Sequence, residues 1–297
     1  MSNLKIAVIG IPGKWSTEVL GDALEQRTGY RLVLDMAEVT ADLADGRLHA
    51  RGVDLTMLDG IIVKKISQEY NPNTLDRIEL LRLAENKGVR IFSHAETIVR
   101  MIDRLSCTMT LHNGGIPMPG TIATEDIEAG VDAVERFGGA VFKPLFSTKA
   151  RGMCVIGADQ PEPAIRAAVG AFKSENPMMY IQQRLDLPGR DYGMVFLGGD
   201  YLGTYARVSQ GDSWNTTIQD GGKYAPHDPP QSTIDLASKA ERLFGMDFTT
   251  VDVADTDEGP IVFEVSAFGG FKGAKEGIGI DAAGLYADYA INKVSKG

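Results

Sequence analysis

Cysteine is almost missing from this chain. Cys107 and Cys154 are the only two in 297 residues, which excludes a disulfide scaffold and a cysteine-rich zinc site. Histidine is scarce too: His49, His94, His112 and His227 are scattered without ligand spacing and suit surface or packing roles. Basic residues are in the minority, 30 against 40 acidic for a formal net charge of −10. A broad basic footprint for nucleic acid is therefore absent, although a local cationic cleft is compatible with that balance. No run approaches the roughly 20 apolar residues of a membrane span, so no membrane partner is expected. Met1-Ser2-Asn3-Leu4-Lys5 leads into an apolar run without a targeting pattern, and a cytoplasmic protein is the expectation.

What is present is an ordinary globular composition, 43% hydrophobic, on a chain long enough for two or three structural units. Short apolar runs predict strands at 4–9, 30–34, 60–63 and 89–92, with helical periodicity at 17–26 and 74–86 between them. Strands alternating with helices predict a parallel sheet with crossovers over the first hundred or so residues. Gly10-Ile11-Pro12-Gly13 lacks the third glycine of a dinucleotide fingerprint and is read as a turn. A helix is expected over 95–114, followed by Gly115-Ile116-Pro117-Met118-Pro119, a loop fixed by two prolines. Beyond it the pattern changes to helices at 125–137, 162–175 and 232–244 and strands at 140–143, 153–156 and 179–183. A hairpin turning at Gly198-Gly199-Asp200 joins runs 191–197 and 201–208.

Near the C-terminal end, Thr249-Thr250-Val251-Asp252-Val253 and Ile261-Val262-Phe263-Glu264-Val265-Ser266 flank a polar Gly-Pro turn. Strict alternation puts Val251, Val253, Ile261, Phe263 and Val265 on one face and Asp252, Glu264 and Ser266 on the other. A hairpin centred near Glu258 sets Asp252 opposite Glu264. Facing carboxylates repel unless a cation lies between them. Hard divalent ions shared with nucleotide phosphates are bound in this way. Pairing of each acid with a neighbouring Lys or Arg explains the pattern equally well.

Lys143 closes the apolar run Ala140-Val141-Phe142, where its ammonium can meet a phosphate or simply reach solvent. The following Ser147-Thr148-Lys149-Ala150-Arg151-Gly152 has hydroxyls, cations and a glycine suited to a flap over phosphates. Tyr180-Ile181-Gln182-Gln183-Arg184-Leu185 leaves a strand for a loop, and Arg207 ends a hairpin strand ahead of Trp214-Asn215-Thr216-Thr217 and Gly221-Gly222. An arginine beside a glycine pair can stabilise an oxyanion or serve in a structural ion pair.

Over about residues 95–290, the order of these segments resembles the ATP-grasp superfamily, in particular the glutamate ligases related to the ribosomal S6 modification enzyme. Asp103-Arg104-Leu105 matches the pair that opens a helix before the "P-x-P" loop. Lys143 matches the phosphate lysine, Gln182, Gln183 and Leu185 the adenine hinge, and Asp191 the acid after the hinge. Arg207 matches the catalytic arginine, and Asp252 with Glu264-Val265-Ser266 matches the metal motif. Gly270-Phe271-Lys272-Gly273, Lys275 and Gly277 to Asp281 resemble the family's ending. The resemblance implies an α/β fold, α+β in its C-terminal part: an ATP-grasp fold with an N-terminal parallel α/β pre-ATP-grasp domain (1–98), a small lobe with the phosphate flap (99–183) and a large lobe with metal and catalytic residues (184–297). ATP would lie between the two α+β lobes. It implies Arg207 as catalytic residue, Arg104, Lys143, Lys149, Gly152, Gln182, Gln183, Leu185 and Asp191 around ATP, and Asp252, Glu264 and Ser266 around Mg²⁺, with Mn²⁺ as an alternative metal.

The activity so implied is a carboxylate–amine ligase that works through an acyl phosphate. Glutamate is the expected amino acid, a small cofactor such as a methanopterin- or methanofuran-type one-carbon carrier the expected acceptor, and a homo-oligomer is compatible. Departures from the pattern concern the substrate more than the ATP site. They are Arg104 for lysine, an altered flap, Gln183 for glutamate, Gly193 for an arginine after Asp191, Thr217 for asparagine and Ser266 for the metal-binding asparagine. Ser266 and the flap leave open an ATP-binding regulatory or scaffold module without turnover, which amine-stimulated ADP release would separate from a ligase. A nicotinamide-dependent oxidoreductase would need the fingerprint that Gly10 and Gly13 leave incomplete.

Overall fold

A computed structural model describes residues 3–147, 150–187, 189–209 and 221–296. The N-terminal unit comprises β1 (Ile6–Ile9), α1 (Trp15–Thr28), β2 (Val33–Leu34), β3 (Thr40–Asp42), β4 (Arg47–Ala50), β5 (Val53–Asp54), β6 (Gly60–Val63), α2 (Asn73–Asn86) and β7 (Arg90–Phe92). Strands β1 and β6 are buried along their whole length, as central parallel strands covered on both faces must be. The sheet order is β2-β1-β6-β7, all parallel. From β1 the chain steps one way to β2 and later the other way to β6. The crevice beyond the C-terminal ends of β1 and β6 is thus a topological switch point, where α/β sheets open to ligands. Strands β3 to β5 form a separate antiparallel ribbon that the sequence did not reveal, because segments this short carry no readable period.

The helix expected over 95–114 is two helices, α3 (Ala95–Ile102) and α4 (Arg104–Asn113). Asp103 breaks it: its backbone is extended and its carboxylate accepts from Leu105 N at 3.1 Å, capping α4. Next come β8 (Thr121–Thr124), α5 (Ile127–Phe137), β9 (Gly139–Lys143), β10 (Cys154–Gly157), α6 (Glu162–Glu175) and β11 (Met179–Gln183). They make an antiparallel sheet in the order β10-β9-β11-β8 with a core of its own between sheet and helices, including Val134, Phe142, Val169 and Ile181.

The remaining elements are β12 (Arg190–Leu197), β13 (Asp200–Val208), β14 (Lys223–His227), α7 (Gln231–Arg242), β15 (Phe248–Thr256), β16 (Gly259–Val265), α8 (Phe271–Ile278) and α9 (Ala282–Lys296). Their antiparallel sheet runs β14-β13-β12-β15-β16. Strand β14, unforeseen in the sequence, lies on the edge, where Pro226 costs no ladder bond. Helix α9 returns to α1, and one core joins Val8, Leu20 and Phe92 to Phe248, Phe271 and Tyr286. The N-terminal sheet is therefore packed against the base of the carboxylate-bearing hairpin.

Candidate active site

The hairpin of β15 and β16 pairs Asp252 with Glu264, as expected, and Thr256 with Gly259 around a two-residue turn. The strict alternation expected for its faces is corrected by a bulge. The register shifts after Asp252, so that Val253 faces Val262 and Phe263 is the extra residue. Val262 and Val265 are buried, whereas Ile261 and Phe263 are only partly so. The bulge turns Phe263 out of the inner layer, and Lys143 Nζ stands 5.6 Å from its ring centroid.

Strand register lays out the polar face. Arg207 on β13 pairs with Asp191 on β12; one step along, Tyr205, Gly193, Asp252 and Glu264 form a row across four strands. Arg207 ion-pairs with Asp191, and its Nη2 lies 3.2 Å from Asp252 Oδ1. Burial opposes the charge of this guanidinium, yet Asp252 and Asp191 hold it well above its ordinary range. Asp252 behaves in the opposite way: burial pushes it up to about 7, with Glu264 and Asp191 adding repulsion and Arg207 opposing them. Despite its ion pair, the buried Oδ1 accepts no hydrogen bond among the described residues.

Helix α4 and strand β9 contribute cations from the other side. Arg104 Nη1 donates to Glu264 Oε2 at 3.2 Å, its Nε to Pro144 O at 3.2 Å, and the guanidinium lies over the ring of Tyr180. Its position as the first residue of α4, set by the Asp103 cap, aims it across the interlobe cleft. Lys143 is half-buried, and its Nζ donates to Gln182 Oε1 at 2.5 Å. Burial and the neighbouring Arg104 push it down to about 7, against a pull from Glu264. Gln182 in turn donates to Thr121 Oγ1 and Tyr180 Oη.

Alternation on β11 separates the two hinge glutamines. Gln182 joins Lys143, while Gln183 sits toward Gly120, with its backbone N bonded to Gly120 O at 2.8 Å. Leu185 is half-buried in the loop after β11, and Gly152, at φ +69°, closes the flap segment beside Pro144. Ser266 is two residues beyond Glu264, its carbonyl held by Thr249 Oγ1 at 2.6 Å. Lys149 and Thr217 lie outside the described residues.

Gly193 has a steric reason. A Cβ there would stand 2.3 Å from the ring of Tyr205, which also fills the space over Gly273 and Gly277. The ring of Tyr205 thus fills the space that any side chain at Gly193, opposite Asp252, would need.

Two site-lining residues were missed in the sequence. Lys64 directly follows β6 much as Lys143 ends β9, so a similar signal, a lysine at the close of an apolar strand, was available for it. Tyr70 is close enough to Glu264 that this carboxylate, after burial, raises its phenol. No local pattern announces a tyrosine in that role.

The donors of the site suit Mg²⁺. A buried carboxylate oxygen without a hydrogen bond, a second carboxylate directly opposite and cations on two sides fit a divalent ion shared with phosphates. No cluster of three or more His, Cys, Asp or Glu occurs among the described residues, so phosphate or solvent oxygens would complete the shell. Among the described residues, no helix is long and apolar enough to cross a membrane.

The chain is 24% identical over 323 residues to a tetrahydromethanopterin:alpha-L-glutamate ligase of Methanosarcina acetivorans, covering 98% of this chain and 99% of that one. It is 24% identical over 287 residues to a ribosomal protein bS6–L-glutamate ligase of Escherichia fergusonii, covering 95% and 93%. The fold superposes on the ATP-grasp ligase PsnB, solved with a phosphomimetic variant of its minimal precursor, Mg and ADP, with TM-score 0.76 and 16% identity over 99% of this chain and 100% of that one. Residues 101–290, most of the chain and all of the site just described except its N-terminal contributors, match the RimK-like ATP-grasp domain, and the chain belongs to that family.

Proposed function

We propose that the protein is an ATP-dependent, ADP-forming ligase that joins a carboxylate to the amine of an amino acid, with glutamate as the amino acid. The observation that carries this reading is the row Asp252–Glu264, flanked by Arg207 on one side and by Arg104 and Lys143 on the other. Two acids and three cations around one cleft suit phosphoryl transfer, in which catalysis consists of positioning and charge compensation.

Lys143 and Arg104 hold the α- and β-phosphates of ATP, with Gln182 orienting the lysine. Asp252 and Glu264 hold Mg²⁺, Mn²⁺ being an alternative, and Ser266 adds a hydroxyl. When bound, the ion offsets phosphate charge as a Lewis acid. A substrate carboxylate oxygen takes the γ-phosphoryl group and ADP leaves. The amine then attacks the acyl carbon, inorganic phosphate departs, and the amine proton goes to solvent. Arg207, fixed between Asp191 and Asp252, stabilises the oxyanion of that attack.

The names of both relatives support glutamate as amino acid, and that of the tetrahydromethanopterin ligase supports a small cofactor as acceptor; a one-carbon carrier of the methanopterin type is the first to test, with a protein acceptor as in the bS6 ligase second. ADP release and product mass, measured over a panel of amino acids and acceptors, identify the pair. An ¹⁸O label in the reacting carboxylate is expected in the released phosphate, and hydroxylamine is expected to trap a hydroxamate. Formation of AMP and pyrophosphate, or full retention of label in the amide, would overturn this mechanism.

A further inference from the structure

We infer that Lys64, in the N-terminal unit, is a positioning residue for the metal-bearing end of the site, acting through the loop that follows Ser266. The inference rests on the functional reading above. The inner side of this loop is pinned to β15: Ser266 N donates to Thr250 O at 2.9 Å, Thr249 Oγ1 to Ser266 O at 2.6 Å, and Gly270 N to Thr250 Oγ1 at 3.1 Å. Gly269 is pressed so close to β15 that a Cβ would meet the Phe248 ring at 2.6 Å and Thr249 C at 2.8 Å. The carbonyl of Gly269 accepts from Lys64 Nζ at 2.7 Å.

Lys64 is buried, 6% exposed, with its ammonium 4.4 Å from the centroid of Phe271. Its backbone is fixed at the switch point, where Lys64 N donates to Ile9 O at 2.7 Å. Burying an ammonium without a carboxylate is costly. The price shows in the group itself, which burial, with Lys65 adding to it, pushes down to about 7. A methionine would fill the same volume without desolvating a charge, so the hydrogen bond to Gly269 is what the lysine adds. The loop is thereby referenced to two sheets at once, β15 from inside and the N-terminal sheet from outside. The turn that Lys64 begins reaches the site twice more: Glu69 pairs with Arg151 of the flap segment at 3.5 Å, and Tyr70 lies near Glu264.

The test is calorimetric titration of the full-length protein with ADP at graded Mg²⁺, for the parent, Lys64→Met and Lys64→Gln, together with hydrogen exchange of residues 266–274. Groups that orient metal ligands typically change metal affinity 10–100-fold when removed. Both variants are therefore expected to need about tenfold more Mg²⁺ for half-maximal ADP binding, with metal-free ADP affinity unchanged and amides 266–270 exchanging faster. If Lys64→Met does not fold, Lys64→Gln, whose shorter stem draws its donor back from Gly269, carries the same expectation. A Mg²⁺ midpoint within twofold of the parent and unchanged exchange would overturn the role of Lys64 alone. Failure of the parent to bind ADP at any Mg²⁺ would overturn the functional reading and this one with it.

Discussion

Replacing Arg207 by methionine removes a cation that Asp191 on β12 and Asp252 on β15 share. The side chains of Arg207, Asp191 and Asp252 are only 18%, 11% and 16% exposed, so solvent screens little of the change. Methionine keeps most of the volume, which isolates charge from packing. Breaking a buried pair by deleting one partner costs about 3–5 kcal/mol, because the remaining charge is left uncompensated. Asp252, already pushed up to about 7 by burial, would rise further in the variant. The sign follows: a carboxylate whose folded pKa is raised contributes stability that is lost as pH rises through that pKa. The deficit of Arg207→Met should thus be largest above pH 7 and shrink toward pH 5, where the folded state takes up a proton. Urea unfolding of metal-free protein at pH 5 and pH 8 measures it, and Asp191→Asn added to Arg207→Met should recover part of the loss. A deficit below about 1 kcal/mol at pH 8, the scale of an exposed pair, would show that these charges are not coupled as described.

Gly193→Ala should cost about 1–3 kcal/mol by overpacking against Tyr205, and Tyr205→Leu in the same chain should relieve most of it; equal losses in single and double variants would refute the steric account. Lys143→Ala should weaken ATP binding at least about tenfold, the loss of a charged phosphate contact, while amino-acid binding stays intact; unchanged ATP affinity in calorimetry would reduce Lys143 to a packing residue. Lys64, pushed down to about 7 from 10.5, is held by the folded protein with fewer protons than by the unfolded chain between those values. The stability of the parent relative to Lys64→Met should therefore rise with pH from 7 toward 10, by up to about 1.4 kcal/mol per pH unit; a flat difference between pH 7 and pH 9 would show that the folded protein keeps this proton and contradict the downward push of burial. Glu264→Gln should keep the fold and abolish most Mg²⁺-supported ADP release, and near-parental turnover at ordinary Mg²⁺ would remove Glu264 from the metal site.

The sequence by itself determined the elements whose patterns are long or fully buried. Helix α6 and strands β6 and β11 begin and end where their periodicity does, and the apposition of Asp252 and Glu264 follows from two apolar runs and a short turn. The ordered motifs were legible too, because a lysine closing a strand or a carboxylate pair on a hairpin is a local arrangement. Tertiary structure decided what depends on partners distant along the chain. The bulge after Asp252 reassigns Phe263 through the register with its partner strand, whereas the split of a helix at Asp103 is a local cap, two residues long, that unbroken helical periodicity concealed. Gly193 makes sense only once Tyr205 is seen to fill its space from the next strand. Lys64 is joined to Gly269 across 205 positions of sequence, a contact that no window of local periodicity can contain. Local spacing fixes which face a side chain leaves from, whereas burial, counter-charge and the neighbour it meets are set by the packing of separate sheets.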